Sequence, residues 1–414
     1  MFSIFNKNES EIVVALEVGT SKVTVAVAEL RPDGTLFLID VGESESSGIR
    51  KGEIVDYDQA QKSIRTALEM AEKRTDSEIG EVFVALTGPH IKSRTVRVKT
   101  NCDNEDNVIS YEQLEELKND VEETPMPADQ LVMHELLQQY HLDSGLATTE
   151  PIGHSSQTLE ASYHIVHGMK TRLETSARCV ADLGVVVQGC ALSSYATAQA
   201  VLSVEQKDLG SVCINLGAGV TDYIVYNGGA VIHTGVIAVG GDHMTQDISL
   251  GLKLPFNRAE ELKKLHGQLF YSAENHPEKV VLDRQINEDE RIIYLQSLSQ
   301  IMMARQREIL EIINDDLKEN DLWSLVSGNV FLTGGASRVR GLQEMARQLF
   351  PVPVQLAHEL TFEGDQTYSK RPDLSTVLGL LRYAQRIRIS APRPKGWRKV
   401  RESFKDLLGT VGLF

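Results

Sequence analysis

The sequence lacks several features that would assign it to a familiar class. It has no run of the about 18 uncharged apolar residues that a membrane-spanning helix needs, and its N-terminus has no basic region followed by an apolar segment of signal-peptide length. Basic residues are also in deficit, because 42 Lys and Arg stand against 58 Asp and Glu, a net charge of −16. We therefore expect a protein that is neither secreted nor transmembrane and that does not bind nucleic acid, which attracts basic surfaces.

Cysteine is scarce and shows no metal-binding spacing. The four cysteines are Cys102, Cys179, Cys190 and Cys213, with no C-x-x-C pair, and three of them lie in apolar or small-residue stretches. An unpaired cysteine in such a stretch behaves as a small buried hydrophobe. This usage is typical of a reducing cytoplasm.

The apolar pattern along the chain predicts an α/β protein with an internal duplication. Residues 12–19 form a predicted buried strand that ends at a glycine turn, and residues 22–28 form the returning strand. Residues 211–226 repeat this order of strand, glycine-rich polar turn and strand. Because single cores stop growing near about 250–300 residues, a chain of 414 residues with this repeat predicts two similar lobes.

Breaks in the pattern predict the remaining parts of the chain. A charged stretch with its own strand and acidic helix indicates an inserted subdomain, and residues around Pro392 and Pro394 lack any hydrophobic period and indicate a linker. We expect a first lobe at 1–82, 166–205 and 366–388, the insertion at 83–165, a second lobe at 206–245 and 326–365 with a helical subdomain at 246–325, the linker at 389–396 and a final helix at 397–414.

Three glycine-bearing turns each follow an apolar strand. They are Gly19–Lys22, Gly217–Thr221 and Gly334–Ser337. Glycine lets backbone N–H groups approach a ligand without a Cβ in the way, although one such turn alone is usually only a turn. Three in this order are more specific, and they predict two hairpin tips that grip phosphates from opposite sides.

These motifs carry a resemblance to a known family. Residues 17–23, 215–222 and 332–337 resemble the two phosphate loops and the adenosine loop of the actin superfamily, a pattern shared with sugar kinases and heat-shock chaperone ATPases. Within that superfamily the chain resembles the FtsA family of bacterial cell-division proteins over almost its whole length, through residues 51–56, 84–91, 240–248, 259–267 and the C-terminal segment. The resemblance implies an actin-like, ribonuclease H-like two-lobed α/β fold with duplicated βββαβα units and an inserted FtsA-type α+β subdomain.

The resemblance also implies ATP or ADP between the lobes, with Mg²⁺ carried on the phosphates. Without it, Glu260 and Lys263 would be a charge pair on a solvated helix face; with it, they lie near the ribose and base. The implied phosphate contacts are Gly19, Thr20, Ser21 and Lys22 on one tip and Asn215, Gly217, Ala218, Gly219, Val220 and Thr221 on the other. Gly241 and Asp242 belong to the same implied site, and Gly334, Gly335, Ala336 and Ser337 lie under the adenine.

The chain departs from the superfamily pattern where chemistry matters. Asn215 stands where the pattern usually has Asp, and Glu17 stands where most relatives outside the FtsA family have Asp. Losing a carboxylate weakens the positioning of metal and water. Gln199 lies in a stretch similar to the one that carries the water-positioning glutamine of actin, with a polar surface residue as the alternative. Glu17 and Gln199 are the implied catalytic residues, and we expect nucleotide binding with slow hydrolysis at best.

The last segment of the chain has the pattern of an amphipathic helix that lies on a membrane. Between residues 386 and 401 there are seven Arg or Lys and no acid, which favours attraction to anionic lipid. The alternative is a helix packed on the protein's own core. The apolar stripe is Trp397, Val400, Phe404, Leu407, Leu408, Val411 and Phe414, and basic residues beside it include Arg398, Lys399 and Arg401.

The function that the resemblance implies is an ATP-binding, polymerising actin homologue that tethers the FtsZ ring to the cytoplasmic face of the cell membrane at the division site. Its implied partners are the FtsZ tail near Arg305 and Arg307, further copies of itself in filaments, anionic lipid, and later division proteins through the insertion. The arginines have ordinary helix-surface residues as their alternative. Two other functions stay open: an actin-like pilus-assembly ATPase of the PilM kind, which needs no lipid helix, and a sugar or acetate kinase, which needs the carboxylate that Asn215 replaces.

Overall fold

The computed structural model of the protein describes residues 10–102, 106–271, 279–282, 291–357, 362–364 and 367–389. None of the helices in these ranges is both long and apolar enough to cross a membrane. The predicted final helix, 397–414, and all of the predicted linker except Ile389 lie outside these ranges.

The N-terminal half of the chain forms most of one lobe and an inserted unit. The lobe begins with β1 (Glu11–Val18), β2 (Lys22–Leu30), β3 (Leu36–Glu45), β4 (Ile49–Arg50), β5 (Glu53–Ile54), α1 (Tyr57–Thr75) and β6 (Glu81–Leu86). The inserted unit contains β7 (Lys92–Asn101), α2 (Tyr111–Glu122), β8 (Gln130–Leu142), β9 (Ala147–Thr148) and β10 (Thr158–Met169). The chain then returns through α3 (Lys170–Ala181), β11 (Val186–Leu192), α4 (Ser193–Val201) and α5 (Val204–Asp208).

The C-terminal half forms the second lobe and comes back to the first. The second lobe contains β12 (Ser211–Leu216), β13 (Thr221–Asn227), β14 (Ala230–Ile237), α6 (Gly241–Leu252), α7 (Phe256–His266), β15 (Lys279–Leu282), β16 (Arg291–Tyr294), α8 (Leu295–Glu319), β17 (Val330–Thr333), α9 (Leu342–Leu349) and β18 (Val354–Leu356). The short β19 (Glu363–Gly364) and α10 (Ser375–Ile389) follow.

The two central sheets repeat one topology. In the first lobe the strand order is β11-β6-β1-β2-β3-β19, and in the second it is β18-β17-β12-β13-β14. In both, the opening strand pairs antiparallel with the next strand and parallel with a later one, β6 or β17. Five strands of each sheet therefore correspond, and the predicted duplicated two-lobed α/β fold is confirmed.

Helices cover both faces of these sheets, which is why their strands are apolar almost throughout rather than alternating. In the first lobe, Ile64 of α1 packs on one face, and Leu378 of α10 packs on the other. In the second lobe, α6 to α9 pack on one face around Ile214 and Leu332. The other face meets Ala198 of α4, so that α4 joins the two lobes.

Two predicted boundaries differ from the structure. Residues 83–86 were expected in the insertion but belong to β6, where residues 83–85 pair with Ala15 to Glu17 of β1. Residues 363–364 were expected in the second lobe but form β19, which pairs with β3 of the first. Local pattern cannot show which sheet a short strand joins, because the partner strand is distant in sequence.

The insertion contacts both lobes. Its sheet, in the order β7-β10-β8-β9, is covered by α2. On the first lobe, His134 Nε2 accepts a hydrogen bond from the Leu192 N–H at 2.9 Å. On the second lobe, Gln138 donates to the Val231 carbonyl at 3.0 Å, and His164 Nε2 lies 3.0 Å from Thr234 Oγ1. The insertion is therefore placed to respond to a change in the angle between the lobes.

Candidate nucleotide site

The two hairpin tips meet at the boundary between the lobes. The tip between β1 and β2 carries Thr20, and the tip between β12 and β13 carries Gly219. A Cβ at Gly219 would lie 2.4 Å from the Thr20 hydroxyl oxygen, well inside van der Waals contact. Only glycine lets the tips approach this closely.

Both tips present backbone donors. Each turn is closed by one hydrogen bond, from the Gly19 N–H to the Lys22 carbonyl at 3.1 Å and from the Gly217 N–H to the Val220 carbonyl at 3.0 Å. Within the described part of the chain, the N–H groups of Thr20, Ser21, Ala218 and Gly219 donate to no acceptor. Unpaired N–H groups at opposed turns form a concave anion-binding surface.

The tips lie at a cavity of about 560 Å³ between the lobes. Its size is that of an ordinary small-molecule site. The predicted site residues that line it are Glu17, Gly19, Thr20, Ser21, Lys22, Asn215, Gly217, Ala218, Gly219, Val220, Gly241, Asp242, Glu260, Lys263, Gly334, Gly335 and Ala336. The structure therefore brings together segments that are more than 300 residues apart in sequence.

Two carboxyl groups, Glu17 and Asp222, lie buried at the cavity beside Asn215. Glu17 Oε2 and Asp222 Oδ1 have no hydrogen-bond partner among the residues that the structure describes. Burial raises the pKa of Glu17 to about 7, and burial followed by repulsion from Glu17 raises the pKa of Asp222 to about 8. Asp222 is directly opposite Asn215 in the β-ladder, and the Asn215 amide donates to it at 3.4 Å.

These two orphaned carboxylate oxygens fit a magnesium ion. Mg²⁺ usually takes one or two protein carboxylates and completes its shell with water and phosphate oxygens. No group of three or more acidic, His or Cys side chains that could hold a metal alone occurs among the described residues. The donor set therefore suits an ion that arrives with a phosphate ligand.

Lys22 is held by carboxylates from two other segments. Its ammonium donates to Glu43 Oε1 and Asp373 Oδ2, each at 2.5 Å. Arg371 binds the same Glu43 carboxylate with two nitrogens, at 2.6 and 2.7 Å, and Asp373 at 2.6 Å. Burial opposes ionisation of Asp373, but hydrogen bonds from Arg371 and Lys22 outweigh it and hold the pKa of Asp373 well below its usual range. With Lys22 already paired, phosphate would depend chiefly on the backbone donors of the tips.

The far side of the cavity is formed by the start of α6 and by α7. Lys263 donates to the Gly241 carbonyl at 3.0 Å and to Thr245 Oγ1 at 2.7 Å, and it pairs with Glu260 at 2.6 Å. The Asp242 N–H donates to the Ala218 carbonyl at 2.8 Å, which fixes α6 to the second tip. Glu260 and Lys263 are thus a fixed, half-buried pair with hydroxyl and carbonyl neighbours rather than a solvated charge pair.

Two predicted contacts support turns instead of lining the cavity. Ser337 is buried, and its hydroxyl donates to the Gly334 carbonyl at 2.7 Å. Thr221 is buried, and its hydroxyl donates to the Val239 carbonyl at 2.9 Å.

The structure does not bring Gln199 to this cavity. Its side chain is 4% exposed and lies on the opposite side of α4, where its amide donates to the Tyr195 carbonyl and the Tyr226 hydroxyl. Its oxygen accepts from the Lys207 ammonium at 3.0 Å. The structure therefore places Gln199 away from the cavity between the lobes, because α4 is buried on both sides and sequence alone does not show which side the amide takes. Its expected catalytic role stays a prediction.

The two arginines expected at a partner surface lie on α8 and differ in their surroundings. Arg305 Nε and Nη2 bind Asp247 at 2.5 and 3.0 Å. Arg307 is half-buried, and its Nη1 lies 3.8 Å from Glu311 Oε1. Arg305 is therefore committed to α6, whereas Arg307 remains accessible.

The sequence pattern did not predict Asp222, Glu43, Arg371, Asp373 or Thr376 at this site. Asp222 closes the motif that begins at Asn215, and the two-residue period of paired strands could have placed it beside Asn215. The other four lie in segments without a motif, and only the folded chain brings them to the tips.

Comparison with known proteins identifies the family. The family model described as "Cell division protein FtsA" matches residues 212–379, and the one described as "SHS2 domain inserted in FTSA" matches residues 88–167. A relative in Pseudomonas aeruginosa, "Cell division protein FtsA", is 30% identical over 377 residues, which cover 90% of this chain and 89% of that protein. The chain belongs to the FtsA family. It is a cell-division protein with an actin-like fold.

Solved structures agree with the fold of this FtsA-family chain. A "PilM-PilN type IV pilus biogenesis complex" gives a TM-score of 0.64 at 14% identity and covers 90% of this chain and 98% of that one. "MreB5 of Spiroplasma citri bound to ADP" gives 0.53 at 14% identity and covers 92% and 98%. At such identities the likeness shows the shared fold alone, so the PilM alternative gains nothing from it.

Proposed function

We propose that this FtsA-family protein binds ATP with Mg²⁺ in the cavity between its lobes and, in that state, tethers a polymer of FtsZ to the cytoplasmic face of the cell membrane at the division site. The observation that carries nucleotide binding is the pair of opposed tips with four unpaired N–H groups above two buried carboxyl groups. Mg²⁺ would supply positive charge to the phosphates, and Glu17 and Asp222 are the residues that would hold it.

The residue roles in this proposal follow from position. The tips at Gly19–Lys22 and Gly217–Val220 would bind the phosphates, Glu260 and Lys263 the ribose and base, and Gly334–Ala336 the adenine. Asn215 is paired with Asp222 across β12 and β13, so these two positions supply only one carboxylate. Gln199 does not line the cavity, and ATP hydrolysis is therefore slow at best.

Lobe closure links the nucleotide to assembly. A ligand shifts a conformation only by binding one state better than another, and a phosphate gripped by both tips favours the closed state. We propose that the closed state forms filaments, and that filaments multiply weak tail contacts into firm membrane attachment. The insertion, which contacts both lobes, is the proposed surface for later division proteins. On α8, the partly exposed Arg307 is the arginine open to an acidic FtsZ tail.

The membrane part of the proposal depends on the sequence pattern of residues 397–414. It is tested by sedimenting the full chain with phosphatidylglycerol-containing vesicles, with and without Mg-ATP, and then with FtsZ added. Leu407→Asp places a carboxylate on the apolar stripe, and Gly409→Asp adds the same charge on the opposite side of the predicted helix. We expect Leu407→Asp to weaken vesicle binding on the order of tenfold or more, because an apolar side chain is no longer buried in lipid.

The outcomes separate the two halves of the proposal. Wild type and Gly409→Asp that sediment with vesicles and carry FtsZ down support the tether. If both aspartate variants and a chain ending at Ile389 bind vesicles equally well, the tail is rejected as an anchor. If the chain sediments with vesicles but added FtsZ does not sediment with it, FtsZ is rejected as the partner.

A further inference from the structure

A second cavity, of about 350 Å³, lies where the insertion and both lobes meet. We call it the junction cavity. Its lining comes from residues 135–137 of β8, Tyr195 and Gln199 of α4, Lys207 of α5, Tyr226 and residues 229–231 of the second lobe, and Arg386 of α10. None of its lining residues lines the cavity between the lobes.

Lys207 is an unusual residue for such a place. It is 7% exposed, and in the described part of the chain its ammonium forms no ion pair. Lysine is almost never buried unless it is paired with an opposite charge, because a lone buried charge is costly. Its ammonium has three N–H donors, of which one goes to Gln199 Oε1 at 3.0 Å.

The surroundings hold the ammonium in place without neutralising it. The Gln199 amide nitrogen donates to the Tyr195 carbonyl at 3.1 Å and the Tyr226 hydroxyl at 3.2 Å, which directs the Gln199 oxygen toward Lys207. The ammonium also lies 5.2 Å from the centre of the Tyr226 ring. A preformed cationic group with an unused donor is thus fixed at a cavity.

Two arginines near Lys207 add to the positive potential. Burial is the main cause that lowers the pKa of Lys207 to about 8, and repulsion from Arg386 and Arg382 follows. Arg386 is exposed and forms no ion pair with any residue that the structure describes. Two carboxylates, Glu135 and Asp208, also line the cavity, but neither forms an ion pair with Lys207 in the described part of the chain.

We propose that the junction cavity binds a small oxyanion, a phosphate or the phosphate group of a small organic molecule, between Lys207 and Arg386. The anion would neutralise the buried ammonium and occupy its unused donor. Because the lining comes from both lobes and the insertion, the bound anion would favour the lobe arrangement seen in this structure, and it would couple to any ligand that changes that arrangement.

The test is thermal unfolding of the full chain against increasing inorganic phosphate or glycerol 3-phosphate, at constant ionic strength. Phosphate also has an expected place in the cleft between the lobes, so Gly219→Ala, which forces the Thr20 tip away, is the parallel variant for that site. Lys318→Met, an exposed lysine on α8, is the matched control. We expect a rise in Tm with phosphate for the wild type, Lys318→Met and Gly219→Ala, and a clearly smaller rise in Lys207→Met.

Arg386→Gln changes an exposed side chain and keeps the test decisive if Lys207→Met unfolds. It should weaken the apparent affinity for phosphate on the order of tenfold, because one charge-assisted contact is lost. A stronger effect of glycerol 3-phosphate than of phosphate assigns an organic phosphate, and the reverse assigns the free ion. No rise in the wild type, or an unchanged rise in Lys207→Met or in Arg386→Gln, overturns the proposal.

Discussion

At the residue scale, the buried carboxyl groups of Glu17 and Asp222 make the free protein sensitive to pH. Their folded-state pKa values, about 7 and about 8, exceed those of the unfolded chain. Between about pH 4 and these values the unfolded chain releases protons that the folded chain keeps, so the free energy of unfolding falls as pH rises. The full stability of these groups is present below about pH 4 and is lost by about pH 8.

Asp222→Asn should remove most of the fall in the free energy of unfolding at high pH that comes from Asp222. We expect the variant, without nucleotide, to be more stable than the wild type at pH 8.5 by a few kcal/mol, at roughly 1.4 kcal/mol per pKa unit, and to differ little at pH 4. Urea unfolding at the two pH values measures it, with the exposed Asp315→Asn as control. If the free energies of unfolding of variant and wild type differ by the same amount at both pH values, burial of the Asp222 carboxyl group is not the cause of the pH dependence.

The same residue should matter in the opposite direction for ligand binding. Mg²⁺ favours the ionised carboxylate, so the affinity for Mg-ATP should rise between pH 6 and pH 8 in the wild type and change less in Asp222→Asn. Calorimetric titration at the two pH values gives the comparison. If the affinity of the wild type for Mg-ATP does not depend on pH, these carboxyl groups do not bind the metal.

Asp222, Gln199 and Asp373 show how far residues could be predicted from the sequence. Glu17 and the tip residues follow from local pattern and family resemblance, and they line the cavity. The predicted position of the Gln199 side chain was wrong, because α4 is buried on both sides and has no polar face that would show where the side chain points. Asp373 and Arg371 reach the tip through a chain reversal more than 300 residues after Lys22, which no local pattern contains.

At the element scale, α4 and α10 cross at a very short distance. A Cβ at Gly379 of α10 would lie 1.9 Å from the Ala196 carbonyl oxygen of α4. The helices can only cross at this distance with glycine at that position. The strand and helix elements were predictable from their periodicity, but this crossing was not, since it depends on which helix faces cover both sheets.

Gly379→Ala should destabilise the protein by about 2–3 kcal/mol, because the added methyl group forces the two helices apart. Gly80→Ala is a matched control, since a Cβ there meets nothing within 4 Å; we expect a change within about 0.5 kcal/mol. Urea unfolding of both variants makes the comparison. Equal stabilities would mean that α4 and α10 are free to separate.

At the scale of the whole molecule, buried histidines connect the insertion to the lobes. Burial lowers the pKa of His134 and of His164 to about 4. Because an unfolded histidine titrates near 6.5, stability from these residues is present above pH 6.5 and is lost as pH falls toward 4. Between about pH 4 and pH 6.5 this gain with rising pH opposes the loss from the two cleft carboxyl groups, so the sum of the four contributions changes little. Above about pH 6.5 only the carboxyl loss remains, and it continues to about pH 8.

His164→Gln should reduce the acid loss while keeping a polar group beside Thr234. Relative to its own value at pH 7, we expect the variant to lose about 2 kcal/mol less at pH 5 than the wild type does. The exposed His154→Gln is the control and should follow the wild type. Hydrogen exchange at the two pH values shows which strands of the wild type open at pH 5. Amide protection in β8 and β10 that is unchanged at pH 5 would contradict the prediction that their buried histidines cause the acid loss.

Both tips are proposed to bind one nucleotide. Calorimetric titration of the wild type and of Gly219→Ala with Mg-ATP measures whether they do. The added methyl group would force the Thr20 tip away, so we expect one nucleotide per chain in the wild type and affinity lower on the order of tenfold in the variant. Gly80→Ala should bind like the wild type. No binding by the wild type, or equal binding by Gly219→Ala, would contradict the account.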